Sequence, residues 1–222
     1  MKGPGRWILI ATMLAGAAAP CHAQTGEPRF EIAVGGLFSG GYALTDPDAT
    51  LTRNQSGGGR FTLFESASRM EGGPGFEARA GWRLTRVFAL EGGVALVQPR
   101  LSTRLTGDVE GAPEITIEDR LSTYVFDGAI VAHLRGLGFA GGRGVPFLRA
   151  GAGYLRELYE DNVLVETGRA YHAGGGVTLW FGDRRRIALR ADGRVYVFDG
   201  GADLDTGSRV APAGGASLVL AF

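Results

Sequence analysis

The sequence predicts an all-β fold: one eight-stranded antiparallel up-and-down β-barrel that crosses a membrane, preceded by a cleavable signal peptide. Three observations carry this expectation. Residues alternate with a period of two in eight separate segments. The joins between those segments alternate short and long, as they do in transmembrane barrels. Beyond residue 23 no stretch approaches the ~18 apolar residues of a spanning helix, so a crossing has to be made by strands.

The first 23 residues have the three parts of an export signal. Lys2 and Arg6 precede an apolar core from Trp7 to Ala19, and Cys21-His22-Ala23 places a small residue at the cut. Cleavage after Ala23 leaves residues 24–222 as a single barrel domain. Cys21 is the sole cysteine, and Pro20 in front of it fits a lipobox poorly. The mature chain then has no thiol for a disulfide or a thiolate zinc site. The 38 glycines show no G-X-Y period, which excludes collagen, and an apolar fraction of 45% argues against disorder. With 23 basic and 23 acidic residues there is no basic stripe to hold a nucleic acid.

The strands are read in order from their apolar parity. The first carries Phe30, Ile32, Val34 and Phe38 opposite Glu31, Ala33 and Gly35. The second carries Phe76, Ala78, Ala80 and Trp82 opposite Glu77, Arg79 and Arg83. The third sets Phe88, Leu90, Val94 and Leu96 against Glu91 and Gly93, and the fourth sets Tyr124, Phe126 and Ile130 against Asp127, Val131 and His133. Strand five runs from Leu148 to Tyr154 with Arg149 opposed, and strand six from Tyr171 to Phe181 with His172, Gly174 and Thr178 opposed. Strand seven runs from Ile187 to Val197 with Arg190, Asp192 and Arg194 opposed, and strand eight from Gly214 to Phe222. Each is about 9 to 11 residues, enough for a tilted strand to span a bilayer.

Short joins fall around Thr85 and Arg86, from Arg135 to Gly144, and from Gly182 to Arg186; these are the expected periplasmic turns. Long joins run over 39–75, 98–123, 156–170 and 199–211. Within the second, residues 101–105 and 115–121 still alternate, which predicts a hairpin projecting past the membrane and turning near Gly111-Ala112-Pro113.

The charges decide which face is outside. Five acids (Glu31, Glu77, Glu91, Asp127, Asp192) and five arginines (Arg79, Arg83, Arg149, Arg190, Arg194) share the polar parity. Facing lipid near the midplane, each arginine costs roughly 2 to 4 kcal/mol. Several together consume the ~5 to 15 kcal/mol by which a fold is stable. The ten are therefore expected to point inward as a balanced lumen network that plugs the barrel. Aromatics are expected in two belts: Phe30, Trp82, Phe88, Phe147, Phe181 and Phe222 at one end, and Phe38, Tyr124, Tyr154, Tyr171 and Tyr196 at the other.

Four features together resemble the OmpA/OmpX-like outer-membrane β-barrel family over the whole mature chain: the signal ending at Ala23, the glycine-rich strand from Gly75 to Leu84, the Arg190-Ala191-Asp192-Gly193-Arg194 strand, and the terminal Ala216 to Phe222. The resemblance implies the cell outer membrane of a Gram-negative bacterium, and contacts with outer-membrane lipid and lipopolysaccharide. It also implies recognition of the last strand, through Leu218, Leu220 and Phe222, by the barrel assembly machinery. No segment matches the peptidoglycan-binding domain that some relatives append.

The function expected is non-catalytic, a structural or surface-interaction role, with no cofactor and no metal. A conduit for small or apolar solutes is one alternative, and a lipid-modifying enzyme is another. The His-x-Ser pair of lipid A deacylases is missing: Leu134-Arg135 follow His133, and Ala173-Gly174 follow His172. Ser102 and Ser122 lie close in the projected hairpin, but no histidine stands ready to activate either. Two histidines supply too few ligands for a metal, and each reads as solvated or hydrogen-bonded. His172 is expected near the outer end of its strand. Loop acids (Asp46, Asp48, Asp108, Glu110, Glu160, Asp161, Asp203, Asp205) read as solvated tips.

Overall fold

The computed structural model describes residues 28–44, 49–52, 60–106, 113–158, 165–201 and 208–222. The expected signal peptide with its cleavage site, the eight loop acids and the expected turn at Gly111-Ala112 lie outside these residues. In chain order the strands are β1 (Phe30–Ser39), β2 (Tyr42–Ala43), β3 (Ala49–Thr52), β4 (Arg60–Glu71), β5 (Gly73–Arg83), β6 (Phe88–Val97), β7 (Arg100–Thr106), β8 (Ile115–Arg120), β9 (Ser122–His133), β10 (Gly144–Leu158), β11 (Val165–Phe181), β12 (Ile187–Gly200) and β13 (Ser208–Ala221). Eight of them close into an antiparallel barrel in the order β1-β13-β12-β11-β10-β9-β6-β5. Each barrel strand pairs with the next in sequence, and β1 closes on β13 from Glu31↔Ala221 to Ser39↔Ala213. Closure leaves no free edge in the wall, so every backbone ladder is internally paired.

The three short joins gather at one end, with Phe30 and Phe222 beside them. In the tightest, Thr85 does the work: its hydroxyl accepts from the amides of Val87 (3.2 Å) and Phe88 (2.9 Å). That is the local turn chemistry expected of a threonine. The turn from 182 to 186 needs a left-handed residue at its start, and Gly182 supplies it at φ 67°. A short 3-10 turn, Arg135–Leu137, opens the remaining join.

At the loop end the wall rises further than expected. Strands β10 to β13 are 14 to 17 residues long, beyond the 9 to 11 predicted. On the opposite side β4, β7 and β8 stand above β5, β6 and β9, with β2 and β3 along the far edge of β4. The β7–β8 hairpin is the one its alternation predicted. Strand β4, however, falls inside the segment 39–75 read as loop, which is a correction. It continues the β5–β6 hairpin across Gly72 and Gln98-Pro99, pairing with β7 from Glu65↔Thr106 to Glu71↔Arg100.

Parity sorts the side chains. Val34, Phe76, Trp82, Phe88, Val94, Phe126, Ile130, Leu148, Leu189 and Leu218 stand exposed around the wall. The inside is layered: Leu37, Val97, Val125, Leu155, Tyr196 and Phe198 form an apolar cap at the loop end. Ala89, Val131, Phe147, Val145, Trp180 and Val219 close the turn end. Two of the expected belt residues therefore move. Phe147 and Tyr196, 1% and 3% exposed, point inward because they share parity with Arg149 and Arg194.

Candidate functional site: the charged lumen

From the level of the turn-end cluster up to the loop-end cap run the ten charged residues of the polar parity, with Arg83 opposite Ala89. All ten project into the lumen; nine are buried and Arg83 is half-buried. They form one chain in which the sign alternates at every step. It starts at the turn end, where Arg83 pairs with Glu31. Glu31 takes Arg190 at 3.2 Å, Arg190 reaches Glu91 at 2.6 Å, and Arg149 holds the other oxygen of Glu91 at 2.5 Å. Arg149 lies 3.7 Å from Asp192, which accepts from Arg194 at 2.7 Å. Arg194 also donates to Glu77 at 2.9 Å, and Glu77 accepts from Arg79 at 3.1 Å. Arg79 ends the chain with a two-pronged grip on Asp127, at 2.8 and 3.1 Å.

Six strands contribute, namely β1, β5, β6, β9, β10 and β12, so the chain laces the wall together across its own interior. The arginine fork is suited to this role because it stays charged and reaches two carboxylates at once. Glycines on the inner face keep the space open: a Cβ at Gly93 would come within 2.9 Å of the Arg79 guanidinium. Aromatic faces roof the chain, with the Arg190 guanidinium 5.1 Å from the Phe147 ring centroid. The formal charges of the ten side chains, five of each sign, cancel. Taking so many ions from water has a cost that their mutual pairing offsets in part, since Nε and Nη1 of Arg149, Nε of Arg190 and Oδ1 of Asp192 are buried without a hydrogen-bond partner among the described residues.

Three lumen residues depart from the expectation drawn from the sequence. His172 is not near a strand end; β11 continues six residues above Tyr171, so its imidazole sits fully buried 3.7 Å from Asp127. Arg209 and Glu157 make a further buried pair at 3.8 Å, with Arg209 also donating to the Tyr42 hydroxyl at 3.2 Å. Glu157 shares parity with Arg149, a signal that was legible had strand five not been ended at Tyr154. His133 is buried at the turn end, its ring 6.4 Å from that of Phe147. No group of three or more metal-binding side chains occurs among the described residues. Ser102 and Ser122 are not paired with each other: Ser102 lies opposite Glu118, and Ser122 opposite Leu158.

Space in the lumen is scarce. A cavity of about 30 Å³ lies under the loop end between Leu37, Val97, Tyr196 and Phe198, and another of about 30 Å³ at the turn end borders Arg83, His133 and Trp180. Each has the volume of about one water molecule. The proposed assembly residues lie together on the outside: Leu218 pairs with Val34 and Leu189, and Leu220 with Ile32 and Ile187. Phe222 donates its amide to the Phe30 carbonyl at 2.8 Å, with ring centroids 6.5 Å apart.

An ion pair outside the lumen supplies a contrast. Arg104 and Glu114 meet on the loop-end sheet with both side chains more than half exposed. Water and salt screen such a pair, so Arg104→Gln is expected to change unfolding free energy by less than about 1 kcal/mol, measured by urea titration of the folded protein.

No protein-family model matches the chain, and no curated protein sequence matches it. Among solved structures, Neisserial surface protein A superposes with a TM-score of 0.55 at 11% identity, covering 87% of this chain and 97% of that one. The attachment invasion locus protein of Yersinia pestis gives 0.44 at 12% identity, over 88% and 100% of the two chains. The outer membrane protein OprG from Pseudomonas aeruginosa gives 0.45 at 8%, over 88% and 95%. At 11% identity the likeness to Neisserial surface protein A concerns the fold alone.

Proposed function

We propose that this protein stands in the cell outer membrane as a plugged, non-catalytic barrel. Its role in this reading is structural, holding a raised sheet and loops at the surface for interaction. The observation that carries the proposal is the continuous, charge-balanced chain of ion pairs from Arg83 to Asp127, flanked by an apolar cluster at each end of the barrel. A conducting path needs a file of water or mobile charge, and here each charged group of the chain faces an opposite charge within 3.7 Å. The exposed apolar wall is the surface a bilayer would cover. Kinship with OmpA/OmpX-like barrels, contact with lipopolysaccharide, and delivery by the assembly machinery through Leu218, Leu220 and Phe222 belong to the same proposal.

Planar-bilayer recording tests it. The folded protein is expected to give no steady unitary conductance, and resolved channels would overturn the plug. Heat-modifiable migration on a detergent gel shows that the protein recorded is the closed barrel. A change in lipid A mass on expression would replace the non-catalytic reading with an enzymatic one.

A further inference from the structure

The charges of the whole chain balance, but those at its two ends do not. At the turn end stand Arg29, Arg86, Arg135, Arg143 and the run Arg184-Arg185-Arg186, against one acid, Asp183, among the described residues. Except for half-buried Arg135, these arginines are exposed. The Arg143–Asp183 contact is 4.0 Å long and open to solvent, so it offsets little of the positive charge. In the segments that join strands at the opposite end, acids outnumber arginines.

An exposed ring of Phe30, Trp82, Phe88, Phe181, Ile187 and Phe222 adjoins the basic turns. Phe30 lies opposite Trp82, and Phe181 opposite Ile187, so the ring follows the rim of the barrel. The carbonyl of Arg29 accepts from the Arg83 amide at 2.8 Å, which fixes Arg29 beside Trp82; Arg86 lies in the turn leading to Phe88. Cations placed one side-chain length from an apolar ring match a phospholipid, whose phosphate lies just above its acyl chains.

We infer that the turn end binds the phosphate head groups of anionic phospholipids in the leaflet it faces, arginines holding phosphate while the aromatic ring meets the acyl chains. This rests on the lipid-facing reading of the wall proposed above. Guanidinium groups suit the task because their planar fork pairs with two phosphate oxygens. The placement also gives the two ends of the molecule different electrostatic partners.

Trp82 is a built-in reporter. It is 60% exposed at this ring, whereas Trp180 is buried in the lumen and Trp7 falls within the expected signal peptide. Its fluorescence is compared in vesicles containing brominated phosphatidylglycerol or brominated phosphatidylcholine at equal mole fraction. Quenching is expected to favour phosphatidylglycerol by about fivefold at low salt. The preference falls toward unity in about 1 M salt, where screening acts within ~3 Å. It falls likewise in Arg29→Gln/Arg86→Gln, whose folding is checked by heat-modifiable migration. Equal quenching by the two lipids overturns this inference and leaves the lipid-facing wall intact. Absence of quenching by either lipid overturns the lipid-facing reading, and this inference with it.

Discussion

Glu91→Gln is expected to lower the unfolding free energy by about 3 to 5 kcal/mol, the loss typical of a buried ion pair deprived of one partner. The carboxylate of Glu91 is shared between Arg149 at 2.5 Å and Arg190 at 2.6 Å, and its removal leaves two buried cations competing for what remains. Arg190 retains Glu31, but Arg149 keeps only the longer contact with Asp192 at 3.7 Å. Urea unfolding in lipid vesicles, followed by tryptophan fluorescence and by loss of heat-modifiable migration, reads the effect. A loss under 1 kcal/mol, no larger than that expected for exposed Arg104, would mean that the lumen chain does not act as a buried network.

The second large effect belongs to the opposite face. Val34 sits near mid-height on β1, 49% exposed, with Ala78 and Leu218 as neighbours across the ladder. In hydrocarbon, Val34→Arg costs about 2 to 4 kcal/mol near the midplane. In water the same exchange at an exposed site changes stability by only about 0.5 kcal/mol either way. The measurement is the unfolding free energy in vesicles, with Val34→Leu as the apolar control. A neutral Val34→Arg would show that this wall is wetted rather than greased, and would end the membrane reading.

The barrel wall was legible because its outer face is apolar and its inner face lines a crowded, charged interior, which gives a strict alternation. Residues such as Arg79, Asp127 and Arg194 betrayed their direction by their neighbours' parity alone. The same rule already assigned Phe147 and Tyr196 to the inside; placing them in the belts gave chemical type precedence over register. Legibility ended where both faces of a strand meet water. Val165, Thr167 and Arg169 are exposed and Glu166 and Gly168 half-buried, an alternation that the residue types do not follow, so no hydrophobic period marks the upper part of β11. Strand β4 was hidden similarly, since Glu65-Ser66-Ala67-Ser68-Arg69 offers no apolar face to read. Nor does one-dimensional pattern say which acid meets which arginine: Glu91 and Arg190 lie 99 positions apart and touch only because the cylinder closes.

Glu31, on the first strand, reaches past β13 to Arg190 on β12, where small residues such as Ser217 and Gly215 leave clearance. The junction of first and last strands is thus bolted from within as well as stitched by its backbone ladder. A sideways opening there would tear a buried arginine from one of its counterions. In a barrel built this way, the chain ends form a permanent weld, and any substrate leaving through the wall would have to part some other pair of strands.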